Sequence, residues 1–405
     1  MNKSLLYNLF IARKNLRPGK TTKSILAFEL EHEKRLLQIA RELENQTYSI
    51  SPYHCFIIYD PVQREIFAAH VRDRIVHHLL YSIISHFFEK KFIHDNYACR
   101  VGKGTHFWVR RIEKHIRSCS NNYQQDCYIL KLDIKGYFMS IDKKILQKLI
   151  YQEIEKQKNY RNLKHPYISY EYGKQLLGKI IDHDPTQDYT RIWSVQNRHW
   201  LPPDKSLFHS PSWVGLPIGN LTSQLFANVY LHELDEYVKR TLKVRHYGRY
   251  MDDFVLIHPN KEYLQSCIWT IRDFLTEKLH LTLHPKKIYL QHYTKWVPFC
   301  GAVIKPYRTY MQKKTLWRWQ QKLHKITPKD VSNYEELQKV IAMINSYLWM
   351  IKHHSSYKIR KKILQWLPPF LANKLVYKNN YTKVVPRARR LRKVEIKSWK
   401  KRKYF

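Results

Sequence analysis

Two adjacent carboxylates, Asp252 and Asp253, sit inside Arg249-Tyr-Met-Asp-Asp-Phe-Val-Leu-Ile-His258. Phe254 to Ile257 favour a buried strand, while the Gly248 side favours a turn, so both acids fall near a hairpin tip. Like charges this close resist joint ionisation. A Mg²⁺ ion would resolve the conflict, because it prefers one or two carboxylates plus substrate phosphates. Taken alone, Asp-Asp is equally a solvated turn. A third acid sharpens the choice: Asp133 ends the apolar run in Tyr128-Ile-Leu-Lys-Leu-Asp-Ile-Lys-Gly-Tyr-Phe138. Two such strands side by side would bring Asp133 to the pair. That is the arrangement for phosphoryl transfer by two metal ions roughly 3.5–4 Å apart.

The elements that must position these acids can be read in outline. The first 50 residues read as basic helix, with Leu26, Leu30, Leu37 and Ala40 on one apolar stripe. Tyr53 to Tyr59 reads as a strand, His106 to Ile116 as a helix, Lys143 to Lys156 as a helix capped by Asp142, and residues 261–279 as another helix. Residues 157–212, rich in Tyr, His, Trp and Pro, read as an irregular connection whose aromatics serve mainly as core. From Met311 the pattern is helical, with Tyr334, Leu337, Ile341, Ile344, Leu348 and Ile351 at three- and four-residue steps. Arg74 is the natural ion-pair partner for Asp73.

Composition sets the class. Lys and Arg number 72 against 33 acids, a formal charge of +39, which fits a chain that holds a phosphate backbone along an extended groove. A basic structural nucleic-acid binder would carry the same charge. Aromatics at 14% argue against a disordered basic protein. No run of eighteen apolar residues is present, so no membrane span or membrane partner is expected. The six cysteines (55, 99, 119, 127, 267, 300) form no Cys-x-x-Cys pair, which suggests neither zinc nor a disulfide framework and makes a reducing cytoplasm the default.

Tyr250-Met-Asp-Asp253 together with Leu132-Asp-Ile-Lys-Gly-Tyr-Phe138 resembles the palm of a reverse transcriptase. The resemblance runs over roughly residues 50–370 in the family's motif order. It implies an α+β right-hand polymerase fold, with fingers, a palm of antiparallel sheet plus helices, and a helical thumb. The expected segments are 1–125 for N-terminal helices and fingers, 126–310 for palm (with the finger–palm connection at about 157–212), 311–376 for thumb and 377–405 for a basic C-terminal tail. In this likeness Asp133, Asp252 and Asp253, with the Ile134 carbonyl, hold two Mg²⁺, Mn²⁺ being a possible substitute. Lys287, in Leu281-Thr-Leu-His-Pro-Lys-Lys287, resembles the family lysine near the leaving pyrophosphate, with Lys286 in reserve. Arg64, Arg72 and Arg74 match fingers positions that reach the incoming triphosphate, and Phe138 matches the steric gate that excludes a 2′-hydroxyl. Lys103, between Gly102 and Gly104, resembles the second fingers motif; plain phosphate-backbone binding remains open for it and for Lys287. Val297-Pro-Phe-Cys-Gly301-Ala-Val resembles the primer grip, and Tyr250 is assigned to primer and template.

Gly215-Leu-Pro-Ile-Gly-Asn-Leu-Thr-Ser-Gln-Leu-Phe-Ala-Asn-Val-Tyr-Leu231 should open a long helix, which the resemblance implies lies beside the nascent base pair. Ile218, Gly219 and Gln224 would lie at the nucleotide. Ile218 stands where many reverse transcriptases carry Gln. With Leu201-Pro-Pro-Asp-Lys-Ser-Leu-Phe208, this block is similar to reverse transcriptases of diversity-generating retroelements. That likeness implies copying of a template-repeat RNA into adenine-mutagenised cDNA from deoxynucleoside triphosphates through an RNA–DNA duplex. It further implies a basic accessory variability protein and a bacterial or phage-encoded cytoplasmic enzyme. Another bacterial reverse transcriptase (retron, phage-defence or reduced intron type) and a non-polymerising RNA-binding protein with a retained palm are the alternatives.

Overall fold

The computed structural model describes residues 3–16, 23–59, 62–158, 168–191 and 201–387. The chain divides into two compact units after Gln291, ahead of the palm–thumb boundary expected at 310. The first unit opens with three helices, α1 (Lys3–Asn15), α2 (Lys23–Leu30) and α3 (His32–Glu44). The apolar stripe of α3 is Leu36, Ile39, Ala40 and Leu43, whereas Leu26 and Leu30 are exposed. The expected stripe was out of phase because the helix is broken around Glu31, which resets the rotation.

Strands β1 (Tyr53–Ile58) and β2 (Arg64–Ala68) form an antiparallel pair, and β4 (Tyr189–Arg191) joins β1 in parallel. Helices α4 (Val71–Lys91) and α5 (Thr105–Cys119) follow β2. Asp73 is fully buried near the start of α4. It accepts from the Tyr48 hydroxyl at 2.6 Å and the Ser51 N–H at 3.1 Å, and its arginine neighbour is Arg72, not the expected Arg74.

The central sheet has the order β5-β6-β3-β7, from β3 (Tyr128–Asp133), β5 (His246–Tyr250), β6 (Asp253–His258) and β7 (Tyr289–His292). Phe254, Val255, Leu256 and Ile257 are all buried, as a continuous apolar run requires when both faces of its strand are covered. Around the sheet lie α6 (Tyr137–Ser140), α7 (Lys143–Lys158), α8 (Tyr170–Asp182), α9 (Leu221–Tyr230), α10 (His232–Glu236) and α11 (Lys261–Leu279). Asp142 accepts from the N–H groups of Lys144 and Ile145, capping α7 as expected. The connection at 157–212 is not wholly irregular. It contains α8, capped by Ser169 and buried through Leu176, Leu177, Ile180 and Ile181; residues 159–167 and 192–200 of it lie outside the described residues.

The second unit holds an antiparallel sheet of β8 (Val297–Phe299), β9 (Ala302–Lys305) and β10 (Arg308–Met311). Helices α12 (Lys313–His324), α13 (Tyr334–Ile351), α14 (Tyr357–Gln365) and α15 (Pro369–Ala372) follow. Leu337, Ile341, Ile344, Leu348 and Ile351 form the buried stripe of α13; Tyr334, the first residue of the expected series, is exposed. The expected tail begins instead as a hairpin, β11 (Leu375–Lys378) with β12 (Lys383–Pro386), whose loop over 379–382 holds Asn379, Asn380 and Tyr381 at positive φ. The Lys/Arg-rich stretch from 388 lies outside the described residues. Among the described residues no helix is long and apolar enough to cross a membrane.

Candidate active site

The strand register brings the acids together. β3 and β6 pair antiparallel with Asp133 opposite Asp253 and Leu132 opposite Phe254. β5 and β6 close a hairpin whose turn is Met251 and Asp252. Met251 sits at φ 58, a left-handed conformation that costs a side-chain-bearing residue about 1–2 kcal/mol.

Arg249 holds that turn. It is fully buried, and its Nη1 donates to the Met251 carbonyl at 3.0 Å. Its Nε and Nη2 fork onto Asp235 at 2.8 and 2.7 Å, while the Tyr247 hydroxyl donates to the same carboxylate at 2.7 Å. Burial alone would lower the guanidinium; Asp235 outweighs it and keeps Arg249 raised. The backbone is fixed as well, since the Arg249 N–H donates to Asp95 and the Arg249 carbonyl accepts from Tyr97. Tyr250 lies half-buried against Trp108, rings parallel at 5.0 Å.

The loop after α11 supplies the next group. The His284 N–H donates to the Asp133 carbonyl at 2.8 Å and the Lys135 N–H to that of Thr282 at 2.9 Å. These two bonds flank Ile134, and neither uses its carbonyl. They also deliver Lys287, whose Nζ donates to both Asp133 oxygens at 2.9 and 3.0 Å. Lys131, which sequence reasoning passed over, stands 3.3 Å from Asp253 Oδ1. Its signal was its place two residues before Asp133, on the same face of a strand.

The electrostatics follow from this crowding. Burial first, then Asp133 and Asp253, push Asp252 up to about 7. Burial also raises Asp253, with Lys131 opposing. Lys287, though burial disfavours its charge, is raised by Asp133 and the other two acids. The part of the Asp252 rise due to neighbouring carboxylates is a repulsion that a cation between them would relieve. Among the described residues no three His, Cys, Asp or Glu groups form a closed metal cage. The residues fit Mg²⁺ nonetheless, since that ion takes one or two carboxylates and fills its remaining positions with water and phosphate oxygens.

Next to this centre, Gly136 at φ 55 opens α6; a Cβ there would lie 2.7 Å from the Asp204 carbonyl. The half-buried Phe138 follows, packed edge-on against Tyr137, its carbonyl accepting from Leu216 at 2.8 Å. The Ile218 carbonyl accepts from Phe67 of β2 at 3.0 Å, and Ile218 packs against the cluster formed by Tyr53, Cys55, Phe67, Ala69, Met139 and Leu207. A Cβ on Gly219, at φ 125, would stand 2.9 Å from Ile66 Cγ2. Asn220 clamps the same strand, accepting from Ala69 and donating to Phe67, both at 3.1 Å. Gln224 is half-buried one turn into α9.

The remaining candidates are dispersed. Arg64 is exposed at the start of β2, and burial lowers Arg74 within α4. Arg72 is engaged by Glu42 and lies over the Tyr48 ring. Lys103 donates to the His94 carbonyl and is lowered by burial. Gly301, at φ 84, makes the β8–β9 turn of the second unit, where its carbonyl accepts from Gln312 at 2.8 Å. Lys286 donates its N–H to His284 at 3.2 Å.

Comparison with known proteins finds a family model, reverse transcriptase (RNA-dependent DNA polymerase), matching residues 62–304. A curated relative, an uncharacterized 91 kDa protein in the cob intron of Schizosaccharomyces pombe, is 21% identical over 277 residues, 64% of this chain. The chain spans only 29% of that relative's length. Among solved structures, telomerase from Candida albicans with a fragment of telomeric RNA aligns over 86% of this chain and 65% of its own, at 12% identity and TM-score 0.45. Apo telomerase from Candida tropicalis aligns over 69% and 60%, at 11% identity and TM-score 0.46.

Proposed function

Because the chain belongs to the reverse transcriptase (RNA-dependent DNA polymerase) family, we propose that it is an RNA-directed DNA polymerase whose active centre is Asp133, Asp252 and Asp253. The observation that carries this is the cross-strand register of Asp133 with Asp253, beside Asp252 in the adjoining turn. Asp133, Asp252, Asp253 and the Ile134 carbonyl would hold the metals, Mg²⁺ or in its place Mn²⁺. Bound there, two such ions supply Lewis-acid stabilisation of the attacking 3′-oxygen and the leaving oxygens. Lys287, already at the acids, presents an ammonium to neutralise or protonate departing pyrophosphate. Phe138 presents a ring to the deoxyribose and blocks a 2′-hydroxyl. Arg64, Arg74 and Lys103 are the fingers cations for triphosphate and template.

The test is primer extension on an RNA template with deoxynucleoside triphosphates. Asp252→Ala should abolish Mg²⁺-dependent incorporation while RNA affinity stays near wild type, since binding rests on many Lys and Arg contacts. Near-normal extension by this variant would overturn the assignment. RNA binding without extension by the wild type would leave a binding protein.

Within that activity, the chain copies a template-repeat RNA into adenine-mutagenised cDNA, with a basic accessory protein as partner, as a bacterial or phage-encoded cytoplasmic enzyme. The support is Ile218-Gly219 with Ser223-Gln224 in one block, and Leu201 to Phe208 upstream. A second reading, an intron-type reverse transcriptase, draws on the intron origin of the 91 kDa relative. Sequencing copurified RNA and the cDNA made from it separates the two. Errors concentrated opposite template adenine favour the first, and intron RNA copied evenly favours the second.

A further inference from the structure

We infer that Lys131 is a positioning residue for the acidic centre: its ammonium fixes the Asp253 carboxylate and competes with divalent cations for it. This presupposes the metal reading of the three acids. Lys131 and Asp133 occupy the same face of β3, and Val255 stands opposite Lys131 in the register. Its Nζ lies 3.3 Å from Asp253 Oδ1, with only 15% of the lysine side chain exposed. Asp133 has Lys287 in the same way, but Lys287 approaches from a turn and is 49% exposed. Asp252 has no lysine bridge among the described residues.

The two lysines therefore differ in what they can do. Lys287 can swing out on its four-carbon stem to follow a leaving phosphate. Lys131 rises from a strand with a neighbour on each side and is far less exposed than Lys287, so its ammonium is held more closely beside Asp253. It stands at one oxygen of that carboxylate, Oδ1. An opposite charge at this range shifts a carboxylate's affinity for a proton by about one to three units. A second cation should feel a penalty of the same kind, at the lower end because the pair is partly solvated.

The experiment is a Mg²⁺ titration of the full chain followed by thermal melting, without nucleic acid. Asp252→Asn serves as the control that removes the metal-dependent shift. Lys131→Met keeps the stem and deletes the charge; it should lower the Mg²⁺ midpoint about tenfold and melt below wild type in EDTA. The gap should narrow as Mg²⁺ saturates, whereas a purely structural role leaves the gap constant. Lys131→Arg should restore the wild-type midpoint. In extension assays Lys131→Met should lower kcat more than it raises the deoxynucleotide KM. Lys131→Gln carries the same comparison if Lys131→Met does not fold. A Mg²⁺ midpoint that neither neutral variant moves, beside a normal wild-type shift, overturns the role of Lys131 alone. Absence of any shift sensitive to Asp252→Asn overturns the metal reading and this role with it.

Discussion

Arg249, fully buried, ties down the turn that carries Asp252 by donating to the Met251 carbonyl. It uses its whole fork, with two bonds to Asp235, one to the Met251 carbonyl and two longer ones to Asn228. Arg249→Met would leave Asp235 charged and unpaired in a fully buried position, which costs about 3–5 kcal/mol. Urea unfolding should show that loss. Arg249→Lys keeps the charge but cannot reproduce the planar fork. It should fold better than Arg249→Met yet extend primers poorly, because nothing then holds Met251 in its left-handed conformation. Equal stability of Arg249→Met and wild type would refute the role. At this scale the sequence was informative only where a residue type was out of place. Asp133, Asp252 and Asp253 stood out as acids in apolar runs. Lys131 and Arg249 did not, because a lysine or arginine beside a strand ordinarily means solvent, and burial is a property of partners such as Asp235 that lie elsewhere in the chain.

The elements were legible where one periodicity dominated. β6, α11 and α13 follow from their patterns, and α7 from its Asp142 cap. α8 was missed because its stripe is short and flanked by aromatics that read as loop. The close fit of the 215–220 segment against β2 could not be read at all, since it depends on distances between chain segments. It makes two predictions. Gly219→Ala adds a Cβ 2.9 Å from Ile66 and 3.3 Å from the Phe67 carbonyl, at a φ of 125 that alanine avoids. It should cost about 1–3 kcal/mol, read as a lower melting temperature; an unchanged melt would mean the strand can yield. The second concerns His77, which joins α4 to α9 through Thr222 Oγ1 at 2.8 Å. Burial first, then His78, His183 and Arg74, lower His77 from 6.5 to about 3. The unfolded chain therefore takes a proton that the folded one refuses. This leaves stability untouched above about pH 6.5 and erodes it progressively as pH falls from there toward about 3. Urea midpoints at pH 8 and pH 5 should converge in His77→Gln relative to wild type. Equal acid sensitivity in both proteins would assign the loss to other groups.

At the scale of the whole molecule, the formal charge of +39 dominates. The described ion pairs absorb few of the basic side chains. Lys131 and Lys287 are spent on the acidic centre, and Arg72, Arg111 and Arg249 on Glu42, Asp95 and Asp235. Charge so far in excess of its internal partners is a counterion-releasing surface. RNA affinity should accordingly fall log-linearly with salt, with a slope of about −0.7 for each phosphate neutralised on a single strand. Asp252→Ala should keep that slope while losing extension, because the lysines and arginines that set the slope are distributed while the proposed chemistry is local to the three acids and Lys287. The measurement is RNA affinity by filter binding or anisotropy across a salt series, wild type beside variant. A nearly flat salt response would show that the charge is not arranged on the RNA-binding surface. A slope changed by Asp252→Ala would show that binding and chemistry share the same groups.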